Sequence, residues 1–221
     1  MKIVIQCAGT KKQQQAHAGF YTADHKLVKF VADPKKAPKN EHIFYAHPDD
    51  ISDNQQTWRE RLLEYNKSVE TNPFHLFPAY QLYDHKVYQA LVKKFGIEKV
   101  YILSAGWGLI AADFLTPDYD ITFSNAKNVE SYAQRKKTDR YDDLCQIIND
   151  GEDIVFVGGK DYQPLFKKLT ANLSGLKKIF YNATQTPCAE RGFCFERFIT
   201  TQKTNWQYTC AQALIDGKIG N

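Results

Sequence analysis

The sequence predicts an α/β fold in which a mostly parallel central sheet carries helices on both faces. Four short, nearly continuous apolar runs are rich in Val, Ile, Tyr or Phe, which is typical of strands buried on both faces of a parallel sheet. Stretches with apolar residues at helical spacing separate these runs, in the alternating order of a layered α/β protein. The four runs span residues 2–7, 99–105, 153–159 and 177–182.

The helical stretches combine spaced apolar residues with charged positions between them. In one of them Val87, Leu91 and Phe95 share a face, and Gly96 follows as a C-cap candidate. The segment 129–149 is long, charged and amphipathic, and the same pattern predicts a helix there. A further run at 42–47 is a weaker strand candidate. The predicted helices span residues 55–67, 82–95, 129–149, 162–173 and 205–215.

The chain is predicted to form a single domain over residues 1–221. Its length and its 43% content of hydrophobic residues suffice for one sizeable core and exclude disordered, collagenous and coiled-coil proteins. No interdomain linker is evident. The segment from about 13 to 40 carries two prolines and five lysines, and it is predicted to be a basic excursion that contains at most a short hairpin.

The composition indicates a cytoplasmic protein without membrane contact. No run of about 18 apolar residues is present, and the first apolar stretch is too short for a signal peptide. The five cysteines are an odd number in a chain too long to need a disulfide framework, so reduced thiols are expected. The formal net charge of +4 permits an anionic partner without requiring one.

Three loops follow predicted strands. They lie at one edge of the sheet if those three strands are parallel. Free backbone N–H groups in the first loop, CAGTKK at 7–12, suit an anion, and the other loops lie at 104–124 and 158–162. The dinucleotide and P-loop glycine motifs are both missing from the sequence. The loops supply the substrate-binding candidates Cys7, Gly9, Thr10, Lys11, Ser104, Gly106, Trp107, Gly108, Tyr119, Gly158, Gly159 and Tyr162.

The segment SAGWGLIAADFLTPDYDITFS at 104–124 carries most of the chemical signal. Its two glycines would let a ligand approach the backbone, and Trp107 or Tyr119 would stack on a flat ring. Asp113 and Asp120 are the catalytic candidates, because a carboxylate can position or deprotonate a water. The alternative interpretation is that these aspartates and Pro117 form a solvated turn, and that the other two loops are ordinary glycine turns.

Neither a metal site nor a cofactor is predicted. Cys188 and Cys194 are spaced more widely than the paired ligands of structural zinc sites, and HPDD at 47–50 is more typical of a turn than of a metal site. The basic run Arg135, Lys136 and Lys137 is either a solvated helix face or a contact to a nucleic-acid backbone.

The segment 104–124 resembles the central signature of the YaaA-like proteins and of related small bacterial and phage domains of unassigned function. The opening IVIQCAGTKK and the later VFVGGKDY resemble the corresponding blocks of that family, although Asp118 interrupts its direct Pro-Tyr pair. The resemblance implies an α/β fold, nucleic-acid binding and, for the family's namesake, a role in surviving peroxide stress. The matching positions of the central block are Ser104, Gly108, Leu109, Asp113, Pro117 and Tyr119.

The leading hypothesis is an enzyme linked to nucleic acid that acts on a base or nucleotide, as an N-glycosidase or other base-directed hydrolase. Such chemistry needs a pocket for the base and a carboxylate that positions water. A second hypothesis is a non-catalytic DNA-binding protein of the peroxide stress response, and a third is a nucleotide binder or transferase without a polymeric partner. DNA or a nucleotide is the expected partner, and no protein partner is required.

Overall fold

The computed structural model describes residues 1–12, 18–68 and 70–220. Within these ranges we number strands and α-helices in chain order. The strands are β1 (Lys2–Gln6), β2 (Leu27–Val31), β3 (Ile43–Ala46), β4 (Phe77–Pro78), β5 (Val100–Ser104), β6 (Gly108–Ala111), β7 (Leu115–Thr116), β8 (Tyr119–Asp120), β9 (Leu144–Cys145), β10 (Ile154–Val157), β11 (Lys177–Tyr181) and β12 (Phe193–Arg197). The helices are α1 (Trp58–Ser68), α2 (Ala79–Leu82), α3 (Val87–Phe95), α4 (Gln163–Thr170) and α5 (Trp206–Ile215). None of these helices is long and apolar enough to cross a membrane.

Seven of the described strands form the central sheet, in the order β12-β11-β10-β1-β5-β6-β9. The five strands from β12 to β5 are parallel, and β6 and β9 run against them. From β1 the chain steps outward to β5 on one side and later returns to β10 on the other. The topological switch point therefore lies between β1 and β10. All four predicted buried strands are confirmed, because each continuous apolar run is covered on both faces.

Helices cover both faces of the central sheet, as the sequence predicts. Phe166 of α4 stacks on Phe156 of β10 with ring centroids 4.5 Å apart. Helix α5 packs against α3 and contacts both β1 and β10. The helix predicted over 82–95 begins only at Val87, because Tyr83 leaves the helical path to form an antiparallel bridge with Lys11.

The predicted helix over 129–149 is wrong. This segment holds one turn of 3-10 helix at Ser131–Ala133, and strand β9 pairs with the free edge of β6. The Leu144 N–H donates to the Trp107 carbonyl at 3.0 Å, and the Gln146 N–H donates to the Leu109 carbonyl at 2.9 Å. The apolar spacing fits a helix in isolation, but the hydrogen bonds that the segment forms with the backbone at the edge of β6 outweigh that local helix propensity.

The basic excursion contains a short antiparallel turn, as expected, in which Tyr21 bridges Leu27 and the Val28 N–H donates to the Phe20 carbonyl at 2.8 Å, and it also contributes a strand. Its described part, residues 18–40, contains β2, which pairs in parallel with β3 on one side and with β8 on the other. This second sheet ties the excursion to the end of the 104–124 segment. Residues 13–17 of the excursion lie outside the described residues. The weaker strand candidate at 42–47 is confirmed as β3.

Two buried arginines hold the turn between β5 and β6 through three consecutive carbonyls. Arg135 donates to the Ala105 carbonyl at 2.7 Å, and Arg59 donates to the carbonyls of Gly106 and Trp107 at 3.0 and 3.1 Å. Each guanidinium is neutralised by a carboxylate, from Asp143 for Arg135 and from Asp49 for Arg59. The turn is thereby buried with its backbone acceptors satisfied, as a buried turn requires.

Gly108 ends this turn in a conformation that other residues rarely adopt. Its φ is +90°, and a Cβ atom at this position would lie 2.5 Å from both the backbone nitrogen and the carbonyl oxygen of Leu144. Glycine is therefore required twice, for the backbone conformation and for the close approach of β9 to β6.

Gly108→Ala is expected to lower the free energy of unfolding by about 3 kcal/mol or more, because strain and overpacking add. Gly151→Ala is the matched control, since Gly151 has a φ of +81° but nothing within 4 Å of an added Cβ. Strain alone predicts a loss of about 1–2 kcal/mol for the control. Urea denaturation of both variants measures the difference, and equal losses would contradict the close approach of β9.

Candidate functional site

A polar cavity of about 700 Å³ opens at the carboxyl end of β1, beside the switch point of the sheet. Ligands of open α/β sheets bind in the crevice at this position. The sequence-predicted residues that line it are Cys7, Gly9, Thr10, Lys11, Asp120 and Tyr162. Residues not identified from the sequence also line it, chiefly Gln6, Thr122, Ser124, Asn128, Glu130, Asn205, Gln207 and Tyr208.

A second cavity of about 520 Å³ adjoins the first, and Gln6, Asn205 and Gln207 line both. Gln6 ends β1, and its side-chain oxygen accepts a hydrogen bond from the Gly159 N–H at 2.5 Å. This bond ties the loop after β10 to β1 across the switch point. The two cavities together form one cleft along the sheet edge, with Gly159 in the second cavity, whereas Gly158 is buried beneath.

Two helices begin at the second cavity. The first residues of α4 and α5 and the loops before them line it, together with Lys160 and Lys203. Neither helix has a side-chain hydrogen bond to its first turn from the residue at its N-cap position. Free N–H groups at helix amino ends carry partial positive charge, so this part of the cleft favours an anion.

Lys11 lies at the wall of the first cavity, with its ammonium 4.2 Å from the centre of the Tyr119 ring. Partial burial lowers the pKa of Lys11, and the nearby carboxylates of Asp118 and Asp120 oppose that shift. Asp120 faces Lys29 on its other side, at 3.8 Å. Lysine ammonium groups and aspartate carboxylates thus lie side by side at this wall of the cavity.

Cys7 and Tyr162 meet at the floor of the first cavity, with Sγ and Oη 3.2 Å apart. Burial raises the pKa of Tyr162 well above its ordinary value, and the neighbouring Cys7 adds to the shift. The Tyr162 hydroxyl therefore stays protonated at neutral pH and can donate a hydrogen bond.

Beneath the cavity lies a buried chain of hydroxyls. Ser104 donates to the Tyr119 hydroxyl at 2.9 Å, and Tyr119 shares a hydrogen bond with Tyr83 at 2.8 Å. The Ser104 oxygen also accepts from the N–H groups of Gly106 and Trp107 at 3.2 and 3.1 Å. Ser104 and Tyr119 therefore support the site from below and do not line the cavity.

Trp107 cannot stack on a ligand, contrary to the sequence-based hypothesis. It is fully buried, with its ring 4.9 Å from that of Phe30, and the Arg59 guanidinium lies over it. Tyr119 is also buried, and Lys11 covers its face. Protein side chains, and not a ligand, fill the space beside Gly106, since a Cβ there would meet the side chains of Ile121 and Tyr119.

Asp113 lies at the opposite edge of the sheet from the cleft. Strand β6 runs antiparallel to β5, so that Ala111 pairs with Tyr101 and Asp113 falls beyond the amino end of β5. A strand of five residues places the two edges on the order of 15 Å apart. The structure therefore removes Asp113 from the candidate site and leaves Asp120 in it.

The basic run 135–137 does not form one solvated face. Arg135 is 5% exposed and makes a two-point ion pair with the buried carboxylate of Asp143. Lys137 pairs with Asp161 at 2.8 Å, and Lys136 is exposed. Arg135 is thus a structural residue and is withdrawn from contact with a nucleic-acid backbone.

Five of the eight lining residues missed from the sequence come from two segments whose roles only the fold reveals. Glu130 lies within the segment wrongly predicted as a helix and Asn128 lies directly before it, whereas Asn205, Gln207 and Tyr208 come from the N-cap and first turn of α5. The helix α5 was predicted, but its packing beside β1 and β10 is a tertiary property. No local pattern in the sequence marks these five residues.

No protein-family model, curated protein or solved structure matches the chain. The resemblance of segment 104–124 to the YaaA-like proteins therefore stays a prediction. The fold is that of a doubly wound α/β protein, and the open cleft at its topological switch point is the candidate ligand site.

Arg135→Gln is expected to lower the free energy of unfolding by about 3 kcal/mol, because it leaves the buried Asp143 carboxylate with only the exposed Lys168 ammonium, at 3.8 Å. Lys136→Gln changes the exposed neighbour and should cost less than about 0.5 kcal/mol. Urea denaturation compares the two. A small, equal effect would show that the Arg135 guanidinium is not a structural clamp.

Proposed function

We propose that the cleft binds a nucleoside phosphate, free or within a nucleic acid, and that the protein hydrolyses the N-glycosidic bond of this ligand. The observation that carries the proposal is the pair of adjoining cavities at the switch point, which share Gln6, Asn205 and Gln207. Their volumes, about 700 and 520 Å³, lie in the range of small-molecule sites and offer two neighbouring compartments. A ligand with a base, a sugar and a phosphate fits such a divided site.

The phosphate belongs in the second cavity. The amino ends of α4 and α5 face it, and the side chains of Lys160 and Lys203 line it. Helix amino ends and lysines both favour negative charge. The Gly159 N–H is held by Gln6, so the loop before α4 is fixed in position.

The base and sugar then occupy the first cavity, where Asp120 is the carboxylate that acts on water. Asp120 takes a proton from water, and the water oxygen bonds to the anomeric carbon. The bond from that carbon to the base nitrogen breaks, its electron pair stays with the base, and the base takes up a proton. The Tyr162 hydroxyl and the Lys11 ammonium line the same cavity and are the available proton donors. The proton on Asp120 returns to the donor through solvent, and the net reaction consumes one water.

Glu130 offers a second carboxylate in this cavity and is exposed, as is fitting for a residue at the cavity mouth. We assign Asp120 the main role because β8 and the Lys29 ammonium hold it in position. A positioned base typically contributes about 100-fold or more to the rate.

The test is the release of free base, measured by mass spectrometry, from nucleosides, 5′-nucleotides and both intact and damaged DNA. Asp120→Asn should reduce the rate about 100-fold or more while leaving ligand-induced thermal stabilisation in place. Asp113→Asn is the matched control from the same segment at the opposite edge, and its rate should equal that of the unchanged protein.

Two results would contradict parts of this proposal separately. If Asp120→Asn released base as fast as the unchanged protein, the catalytic assignment would be wrong. If nucleotides raised the melting temperature but no base appeared from any substrate, the protein would be a nucleotide binder without hydrolytic activity.

A further inference from the structure

A separate cavity of about 220 Å³ lies between the segments 32–36 and 134–141. Three cationic side chains and one histidine line it, and none of them belongs to the cleft described above. These residues are Lys36, His47, Lys136 and Arg140, with Asp33, Asp139, Gln134 and Tyr141 completing the wall.

Tyr141 is the buried part of this wall. It is 6% exposed, and its hydroxyl makes no hydrogen bond with any described residue. His47 packs edge-on against its ring at 4.2 Å, and the Arg135 guanidinium lies 3.6 Å from the ring centre. A buried hydroxyl without a partner is costly unless a ligand or water completes it, so a bound acceptor would remove that cost.

The wall carries three cationic side chains and two carboxylates, which leaves one positive charge in excess. Asp33 pairs with Lys36 at 2.8 Å, and the Asp139 carboxylate accepts the Lys136 backbone N–H at 2.7 Å. The side chains of Lys136 and Arg140 form no ion pair within the part of the chain that the structure describes. Both are exposed, so they can close over an anion from the rim.

His47 adds a directed donor. Its Nδ1 accepts the Asp49 N–H at 3.1 Å, so a neutral imidazole carries its proton on Nε2. With the Tyr141 hydroxyl, this ring supplies a second donor that does not depend on a flexible chain. An oxyanion accepts several such hydrogen bonds at once.

We infer that this cavity binds a phosphate-type oxyanion, with the Tyr141 hydroxyl as the buried donor and Lys136 and Arg140 as the rim charges. The inference does not rest on the proposed hydrolytic function. A bridge between Thr122 and Gln134 separates this cavity from the first one, because Thr122 lines the first and Gln134 lines this one. A phosphodiester of a strand whose base enters the cleft and a free phosphate group share the required chemistry.

The test is a titration of ¹⁵N-labelled protein with inorganic phosphate, following the amide resonances of Lys136 and Arg140. Reading the site by its own amides separates it from phosphate bound in the main cleft. Tyr141→Phe should weaken phosphate binding about tenfold, since the variant loses one hydrogen bond to a charged acceptor. Its melting temperature should be unchanged or higher, because the variant also removes a hydroxyl without a partner.

Arg140→Gln tests the rim charge, and it should also weaken binding. Lys35→Gln is the matched control, since Lys35 is an exposed neighbour of Lys36 that does not line the cavity. The inference is overturned if phosphate leaves these amides unshifted, or if Tyr141→Phe binds phosphate as tightly as the unchanged protein.

A 12-nucleotide single strand of DNA, titrated at several salt concentrations, identifies the source of the anion. If a backbone phosphate occupies the cavity, Arg140→Gln should lower the salt dependence of DNA binding by about 0.7 in slope for one lost contact. If phosphate binding weakens in the variants while DNA binding does not change, the occupant is a small phosphorylated molecule.

Discussion

The turn between β5 and β6 depends on two buried arginines, and the cleft depends on the turn. Arg135 and Arg59 together donate hydrogen bonds to three consecutive carbonyls, from Ala105 to Trp107, that would otherwise be buried without donors. Because the carbonyls point to the guanidiniums, the N–H groups of Gly106 and Trp107 are free to bind Ser104. Ser104 in turn orients Tyr119, on whose ring Lys11 of the cleft rests. The ion pairs Arg59–Asp49 and Arg135–Asp143, which lie far along the sequence from Lys11, thus help to position the cavity wall.

The buried strands could be predicted from the sequence because their apolar runs are local and continuous. A run such as residues 100–104 is short and rich in β-branched and aromatic residues, which favours a strand, and as a central strand it buries every side chain. The segment 129–149 could not be predicted in this way. Its apolar spacing suits a helix, but Arg135 and Leu144 donate hydrogen bonds to backbone carbonyls of the β5–β6 hairpin. That hairpin is distant along the sequence, so a local pattern cannot reveal these bonds.

The candidate site shows the same division between local and tertiary information. The loops after β1 and β10 were identified because small residues at the end of a parallel strand imply an open crevice. In 104–124 the glycines, Trp107 and the aspartates have the composition of a ligand loop. The glycines and Trp107 are buried, Asp113 and Asp118 are exposed outside the lining of the cleft, and Asp120 alone among these residues lines it. A buried turn and a binding loop both need glycine and aromatic residues, so composition alone cannot separate them.

The charge pattern of the cleft constrains its ligand. Burial raises the pKa values of Tyr83, Tyr119 and Tyr162 because charged phenolates would lose their hydration, so the floor carries neutral hydroxyls. Both cavities carry groups of both signs: Asp120, Glu130 and Lys11 line the first, and Lys160, Lys203 and Asp161 line the second, where Asp161 pairs with Lys137. A uniformly anionic ligand would meet the carboxylates, and a uniformly neutral one would leave the lysines and helix ends unused. The proposed ligand, a nucleoside phosphate, would place its neutral base and sugar in the first cavity and its anionic phosphate beside the lysines and helix amino ends of the second.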